Sequence, residues 1–331
     1  MSLNDILRLF VGVTNADLEA LIAQEMRLGA TFERLVAPPL PSLKFHYFIQ
    51  FVNRQAEPQI IAGLGSDFNE KKAYRKAVFE YFERKMFFEV GGKHGFISTN
   101  GIAAHRYKSL AERAARFELN ERDSFLRHWY SSCPFLKLEP TLDSRVAEIV
   151  QDLSAKGWSV LFRKTYLGLA STTLAFIVND KTQGFALGLS SGRGEKFDSE
   201  KALMEAIVNL FFGHEGKSDG DLLKDLETDG VDSLVGHRTY WLLKHQIPSW
   251  ILNEGLGDQT ANKRGDAFHP AEIEKTESVF ELSTNPIPVI AVKSANLLDL
   301  PIGVDLERNF EIMARNGLKL CPNPPLPHPI P

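Results

Sequence analysis

An α+β fold, with small β-sheets flanked by glutamate-bearing helices, is what this sequence predicts, and three observations predict it. First, the phrase Ala77-Val78-Phe79-Glu80-Tyr81-Phe82-Glu83-Arg84 returns as Ala115-Arg116-Phe117-Glu118-Leu119-Asn120-Glu121-Arg122, so A-x-x-E-x-x-E-R occurs twice at a constant offset of 38 residues. Carboxylates at i and i+3 with a guanidinium at i+4 share one face of an α-helix. Second, three apolar runs of strand length follow one another at 159–164, 173–178 and 184–189, which reads as a small sheet. Third, 331 residues with 44% hydrophobic content can fill a sizeable core. If the two repeated faces converge, four carboxylates meet. Such a cluster repels itself at low dielectric and needs cations, for which hard divalent ions with oxygen ligands are suited. Two arginines beside them suggest a phosphate as companion.

In chain order, residues 16–26 carry a helical pattern after Thr14-Asn15, and the proline-rich stretch 37–41 closes this opening segment. Residues 44–51, rich in Phe, Tyr and Ile, read as a strand, followed by a turn-rich passage through Gly63 and Gly65. Asn69 caps a helix over 70–89 that holds the first copy and is stopped by Gly91-Gly92. A short turn-like linker, 97–101, leads to a helix over 109–130 with the second copy, with Pro134 beyond its end. A helix over 144–156 precedes the three strand-like runs. The glycine-bearing loop 190–194 then enters a helix over 199–212, which carries Ala202-x-x-Glu205-x-x-x-Asn209, a partial third copy with Val208 in place of the second glutamate and Asn209 in place of the arginine. Residues 213–232 and 255–277 are polar surface excursions with some helix near 234–246, and the core resumes at 279–282 and 289–292. The end, Pro322 to Pro331, has the alternation P-x-P-x-P, which favours an extended arm. The expected division is an N-terminal helical appendage with an entry strand over 1–60, then one domain over 61–331.

Composition excludes several classes. Net charge is −4 with a pI near 6.2, so no basic excess points to nucleic acid. Residues 1–26 are interrupted by Asn4, Asp5, Arg8 and Asp17 and form neither a signal peptide nor a spanning helix, which points to the cytoplasm and to no membrane role. The two cysteines, Cys133 and Cys321, are too few for a disulfide framework and lack zinc-site spacing. The loop 190–194 reads as a plain entry loop rather than a phosphate cradle, because no G-x-x-x-x-G-K-[ST] is present. For Arg84 and Arg122 two readings stand: pairing with the glutamate one turn back, or phosphate binding.

Taken together, Glu80-Tyr81-Phe82-Glu83-Arg84, Thr99-Asn100-Gly101-Ile102-Ala103-Ala104 leading to Glu118 and Glu121-Arg122, and the segment from Gly184 to Asn209 resemble the three motifs of the YcaO family over most of residues 60–331. The resemblance implies a YcaO-type domain in which the glutamate-bearing helices line an ATP site. Glu80, Glu83, Glu118, Glu121 and Glu205 would hold Mg²⁺, Lys76, Arg84, Arg122 and Asn209 would address the nucleotide, and the terminal carboxylate of Pro331, on a tail like that of azoline-forming members, would act as a base. It implies an ATP- and Mg²⁺-dependent cyclodehydratase subunit that converts Cys, Ser or Thr of a ribosomal precursor peptide to thiazolines or oxazolines. The implied partners are that peptide, a separate leader-binding subunit with an E1-like fold, and a flavin-dependent dehydrogenase, in a complex that admits a homodimer. Departures from the family pattern are Lys76 where the first motif has Ser, Asn209 where the third has Gln, Gly65-Ser66-Asp67 where many members have G-K-G, and His105 in place of a glycine. They leave two alternatives, a non-catalytic scaffold with the same fold and a thioamide- or amidine-forming relative.

Overall fold

The structure, a computed structural model, describes residues 16–56, 60–212, 218–229, 239–252, 277–284, 287–298, 307–318, 321 and 328–329. The chain divides into two compact units. One contains residues 1–116 with 278–293, the other residues 117–277 with 294–331.

The first unit opens with α1 (Ala16–Arg27), which Gly29 ends in the left-handed region at φ +99° before β1 (Ala30–Arg34). β1 pairs antiparallel with β2 (Tyr47–Asn53), and β2 with β3 (Ile61–Asp67), giving a three-stranded meander that runs across residue 60. The passage through Gly63 and Gly65, expected to be turns, is strand β3. Its glycines serve close packing: a Cβ on Gly65 would stand 1.7 Å from the Ala73 carbonyl oxygen, and one on Gly63 2.2 Å from that of Ala77. The helix lying on them is α2 (Glu70–Val90), capped by Asn69 Oδ1 accepting from Lys72 N. Tyr81 of α2 donates to Glu25 Oε2 at 2.8 Å and Lys85 pairs with the same carboxylate, which ties α1 to α2. A short second sheet, β4 (Ile102–Ala104), β10 (Val289–Ser294) and β9 (Glu277–Ser283), completes this unit's core with Ile102, Val289 and Ala291 buried against Phe82 and Phe96. Strands β1 and β4 carry no expectation from the sequence; β4, with three residues, is too short to display a period.

Helix α3 (Lys108–Ser131) runs from one unit into the other, its residues 108–116 belonging to the first and 117–131 to the second. The second unit continues through β5 (Leu136–Lys137), α4 (Ser144–Ala155), β6 (Trp158–Lys164), β7 (Thr173–Asn179) and β8 (Phe185–Ser190), the strands forming an antiparallel sheet in chain order. Helix α5 (Glu195–Phe211) lies on β8 at Gly188, where a Cβ would stand 2.0 Å from the Ala202 carbonyl oxygen. It begins four residues before the expected start, because Asp198 in its first turn accepts hydrogen bonds from the entry loop. The stretch 213–232, expected to be a polar surface excursion, contains α6 (Asp219–Asp229), anchored by buried Leu222 and Leu226. Tyr240–Lys244 form one π-helical turn, and α7 (Ser249–Leu252) and α8 (Glu307–Arg315) are the last described α-helices. The core is aromatic: Phe125, Trp129, Phe135, Phe176, Phe185 and Trp241 pack with Leu174 and Leu189. Among the described residues no helix is long and apolar enough to cross a membrane.

Candidate functional site

In the first unit, the apolar stripe of α2 (Ala73, Tyr74, Ala77, Val78, Tyr81, Phe82) faces the core, which sets the glutamates at its margin against strand backbone. Glu80 Oε2 accepts from Leu64 N of β3 at 3.0 Å, and its other oxygen pairs with Arg84 at 2.7 Å. Glu83 Oε1 accepts from Ala104 N of β4 at 2.7 Å. Lys76 donates to the Ser66 carbonyl at 2.7 Å and pairs with Asp67 at 2.9 Å, so it closes the β3–α2 turn. The four side chains are therefore anchored. Arg84, its side chain 44% exposed, follows the helix-pairing reading. Asn100 is a residue whose phrase the sequence singled out without a role. It is 7% exposed and its Oδ1 is a buried acceptor with no hydrogen-bond partner.

The second unit brings together Glu118, Glu121 and Arg122 on α3 with Glu205 on α5. Arg122 Nη2 stands 3.9 Å from Glu118 and 3.8 Å from Glu205, beyond hydrogen-bond length from both. Its Nε and Nη1 are buried with no hydrogen-bond partner. A guanidinium left with open donors is costly unless a ligand fills them. Glu118 and Glu205 are also pushed from their ordinary state. Burial is the largest influence on Glu118 and pushes its carboxyl up to about 7; Arg122 and Lys201 oppose the shift, and the charges of Glu121 and Glu205 add to it. Glu205 is pushed up for the same first reason and by Glu121, against Arg122, Lys201 and the Leu189 N–H it accepts. Lys201 is thus a further cation of this group, which the sequence reading passed over. Its signal was present as Lys201 and Glu205 at i and i+4 on one helix face.

The other predicted residues are placed as follows. Asn209, one turn beyond Glu205, donates from Nδ2 to the Leu187 carbonyl at 2.7 Å and is buried. Asp198 holds the entry loop from inside, accepting from Ser190 Oγ, Arg193 N and Gly194 N. Pro331 and most of the proline-rich end lie outside the described residues. Among the described residues no group of three or more His, Cys, Asp or Glu side chains is arranged to hold a metal ion; Arg122 lies between Glu118 and Glu205.

The donor set nonetheless fits a metal-bound polyphosphate: three carboxylates, two of them driven toward protonation, ask for cations, and the open Arg122 donors ask for an anion. Comparison with known proteins points the same way. The family model described as YcaO cyclodehydratase, ATP- and Mg²⁺-binding, matches residues 86–270. Among solved structures, the YcaO protein of Methanopyrus kandleri bound with AMPPCP and Mg²⁺ is similar at a TM-score of 0.56 and 14% identity, over 98% of this chain and 96% of that one. A heterocyclase in complex with substrate and cofactor is similar at 0.59 and 10% identity, over 92% of this chain but only 56% of that one. The Escherichia coli microcin synthetase McbBCD complex contains a chain similar at 0.50 and 11% identity, over 81% of this chain and 88% of that one. At these identities the structural likeness shows the fold. No curated protein sequence matches.

Proposed function

Because the chain belongs to the YcaO family of ATP- and Mg²⁺-binding cyclodehydratases, we propose that it is the cyclodehydratase subunit of a peptide-modifying complex, converting Cys, Ser or Thr of a ribosomal precursor peptide to thiazolines or oxazolines by ATP-dependent phosphorylation of the backbone amide oxygen. The observation that carries this reading is Arg122, whose Nη2 stands 3.9 Å from Glu118 and 3.8 Å from Glu205 while its Nε and Nη1 are open and buried. Bound Mg²⁺ supplies neutralisation of charge on the transferred phosphoryl group, the main source of catalysis in such transfers. Glu118, Glu121 and Glu205 would hold the metal in the second unit, and Arg122 would orient the phosphate through its open N–H groups, with Lys201 adding positive charge. Glu80 and Glu83 take the same ligand role from their motif, with Asn100 Oδ1 as an added oxygen donor; Lys76, Arg84 and Asn209 are assigned to the nucleotide by their motifs alone. The Pro331 carboxylate is the proposed base for the attacking side chain, and a leader-binding E1-like subunit and a flavin-dependent dehydrogenase are the proposed partners.

In the reconstituted complex, Glu118→Gln and Glu205→Gln should each abolish peptide-dependent ATP hydrolysis while circular dichroism stays that of the parent; unchanged turnover would sink the reading. A scaffold without nucleotide binding is favoured by two contacts, Lys76 tied to Asp67 and Asn209 tied to Leu187. Calorimetric titration with ATP and Mg²⁺ separates the two, since the scaffold gives no heat.

A further inference from the structure

The entry loop between β8 and α5 contains one buried hydroxyl that the fold does not satisfy. Ser190 Oγ donates to Asp198 at 2.9 Å, and Asp198 also takes the Arg193 and Gly194 amides. Ser191 stands apart from this arrangement. It is 7% exposed, and its Oγ is buried with no hydrogen-bond partner. Buried hydroxyls are nearly always satisfied, so an open one in a turn calls for a partner from outside the chain.

Its surroundings say what that partner is. Two residues earlier, the Leu189 N–H is accepted by Glu205. One residue later, Gly192 at φ +85° lies against Phe117, where a Cβ would stand 2.8 Å from the ring, and Phe117 adjoins Glu118. Ser191 is therefore bracketed by contacts to Glu205 and to the neighbour of Glu118, the two carboxylates that Arg122 Nη2 stands near, on a guanidinium whose Nε and Nη1 are open. Both open groups are able to donate, and an anion with several acceptor oxygens satisfies both. Gly192 and Gly194, both at positive φ, give the turn backbone freedom to bring the hydroxyl onto such a ligand.

We infer that Ser191 Oγ donates a hydrogen bond to a phosphate oxygen of ATP, as a nucleotide-positioning group of this site. The inference rests on the ATP reading above and gives a role to a residue for which the motif comparison named none. Its test is calorimetric titration of the folded chain with a non-hydrolysable ATP analogue and Mg²⁺, beside steady-state kinetics of the reconstituted complex. Ser191→Ala should weaken binding about tenfold, the loss expected for one hydrogen bond to a charged acceptor, and should raise KM for ATP by a similar factor with kcat unchanged. Parent affinity in Ser191→Ala, in the same series in which Glu118→Gln loses binding, overturns the Ser191 assignment alone. No heat from the parent chain overturns the ATP reading and this inference with it. If Ser191→Ala does not fold, hydrogen exchange of the parent decides: the analogue should slow exchange of the amides of residues 190–193, and unchanged exchange overturns the assignment.

Discussion

Arg122 shows how one side chain gives an acidic cluster its chemistry. It stands about equally far from Glu118 and Glu205 and hydrogen-bonds neither, so it moderates their mutual repulsion without neutralising them. Glu118 makes this measurable. Its folded pKa near 7 lies above the ordinary 4.5, so the stability it contributes is whole below about pH 4.5 and is lost as the pH rises toward 7. In metal-free buffer the melting temperature of the parent should fall with pH across that window relative to Glu118→Gln, and Mg²⁺ with ATP should flatten the difference. A parent and variant with parallel profiles would refute the assignment. At this scale the sequence was legible only in part. It placed Glu118, Glu121 and Arg122 on one face and Glu205 on another helix, but the same residue types in α2 engage strand backbone, Glu80 at Leu64 and Glu83 at Ala104.

At the scale of elements, one packing device occurs in both units. Each unit sets a helix onto a strand through a glycine under two alanines: Gly65 under Ala73 and Ala77, Gly188 under Ala202 and Ala206. The device fixes a register in which Lys76 corresponds to Glu205 and Glu80 to Asn209. The contacts agree with it. Glu80 and Asn209 bond the backbone of Leu64 and Leu187, one residue before the glycine, and Lys76 and Glu205 bond that of Ser66 and Leu189, one residue after. The third copy read by matching Ala202 to Ala77 is thus displaced by one helical turn from the packing equivalence, because sequence spacing does not say which alanine touches the glycine. Gly188→Ala and Gly65→Ala each drive a methyl into a helix carbonyl, and since backbone cannot swing aside, each should lower stability by about 3 kcal/mol, read from denaturant midpoints. A loss below about 0.5 kcal/mol, the range of surface substitutions, would show that the helices do not sit as described.

At the scale of the whole molecule, each of the two units has its own buried cluster, and the chain as a whole carries a modest net charge of −4. Proposed partnership is the property that belongs here. The chain alone should bind nucleotide yet hydrolyse it slowly, and turnover should rise at least tenfold only when both the precursor peptide and a leader-binding subunit are added, as measured by phosphate release. Full stimulation by the peptide alone would remove the need for that subunit.

By itself, the sequence determined the helices with their glutamate faces, the β6–β8 meander and the family's motifs, because helix and strand periods and turn residues are local properties of the chain. It did not determine β3, whose glycines read as turns until the helix lying on them is known, nor α6, whose two apolar anchors are lost among charges. Only the tertiary structure decided which polar groups are satisfied. Lys76, Glu80, Glu83 and Asn209 find backbone partners, while Arg122, Asn100 and Ser191 keep open, buried hydrogen-bonding atoms. Spacing fixes the face a side chain occupies, but its partner depends on what distant segment packs against that face.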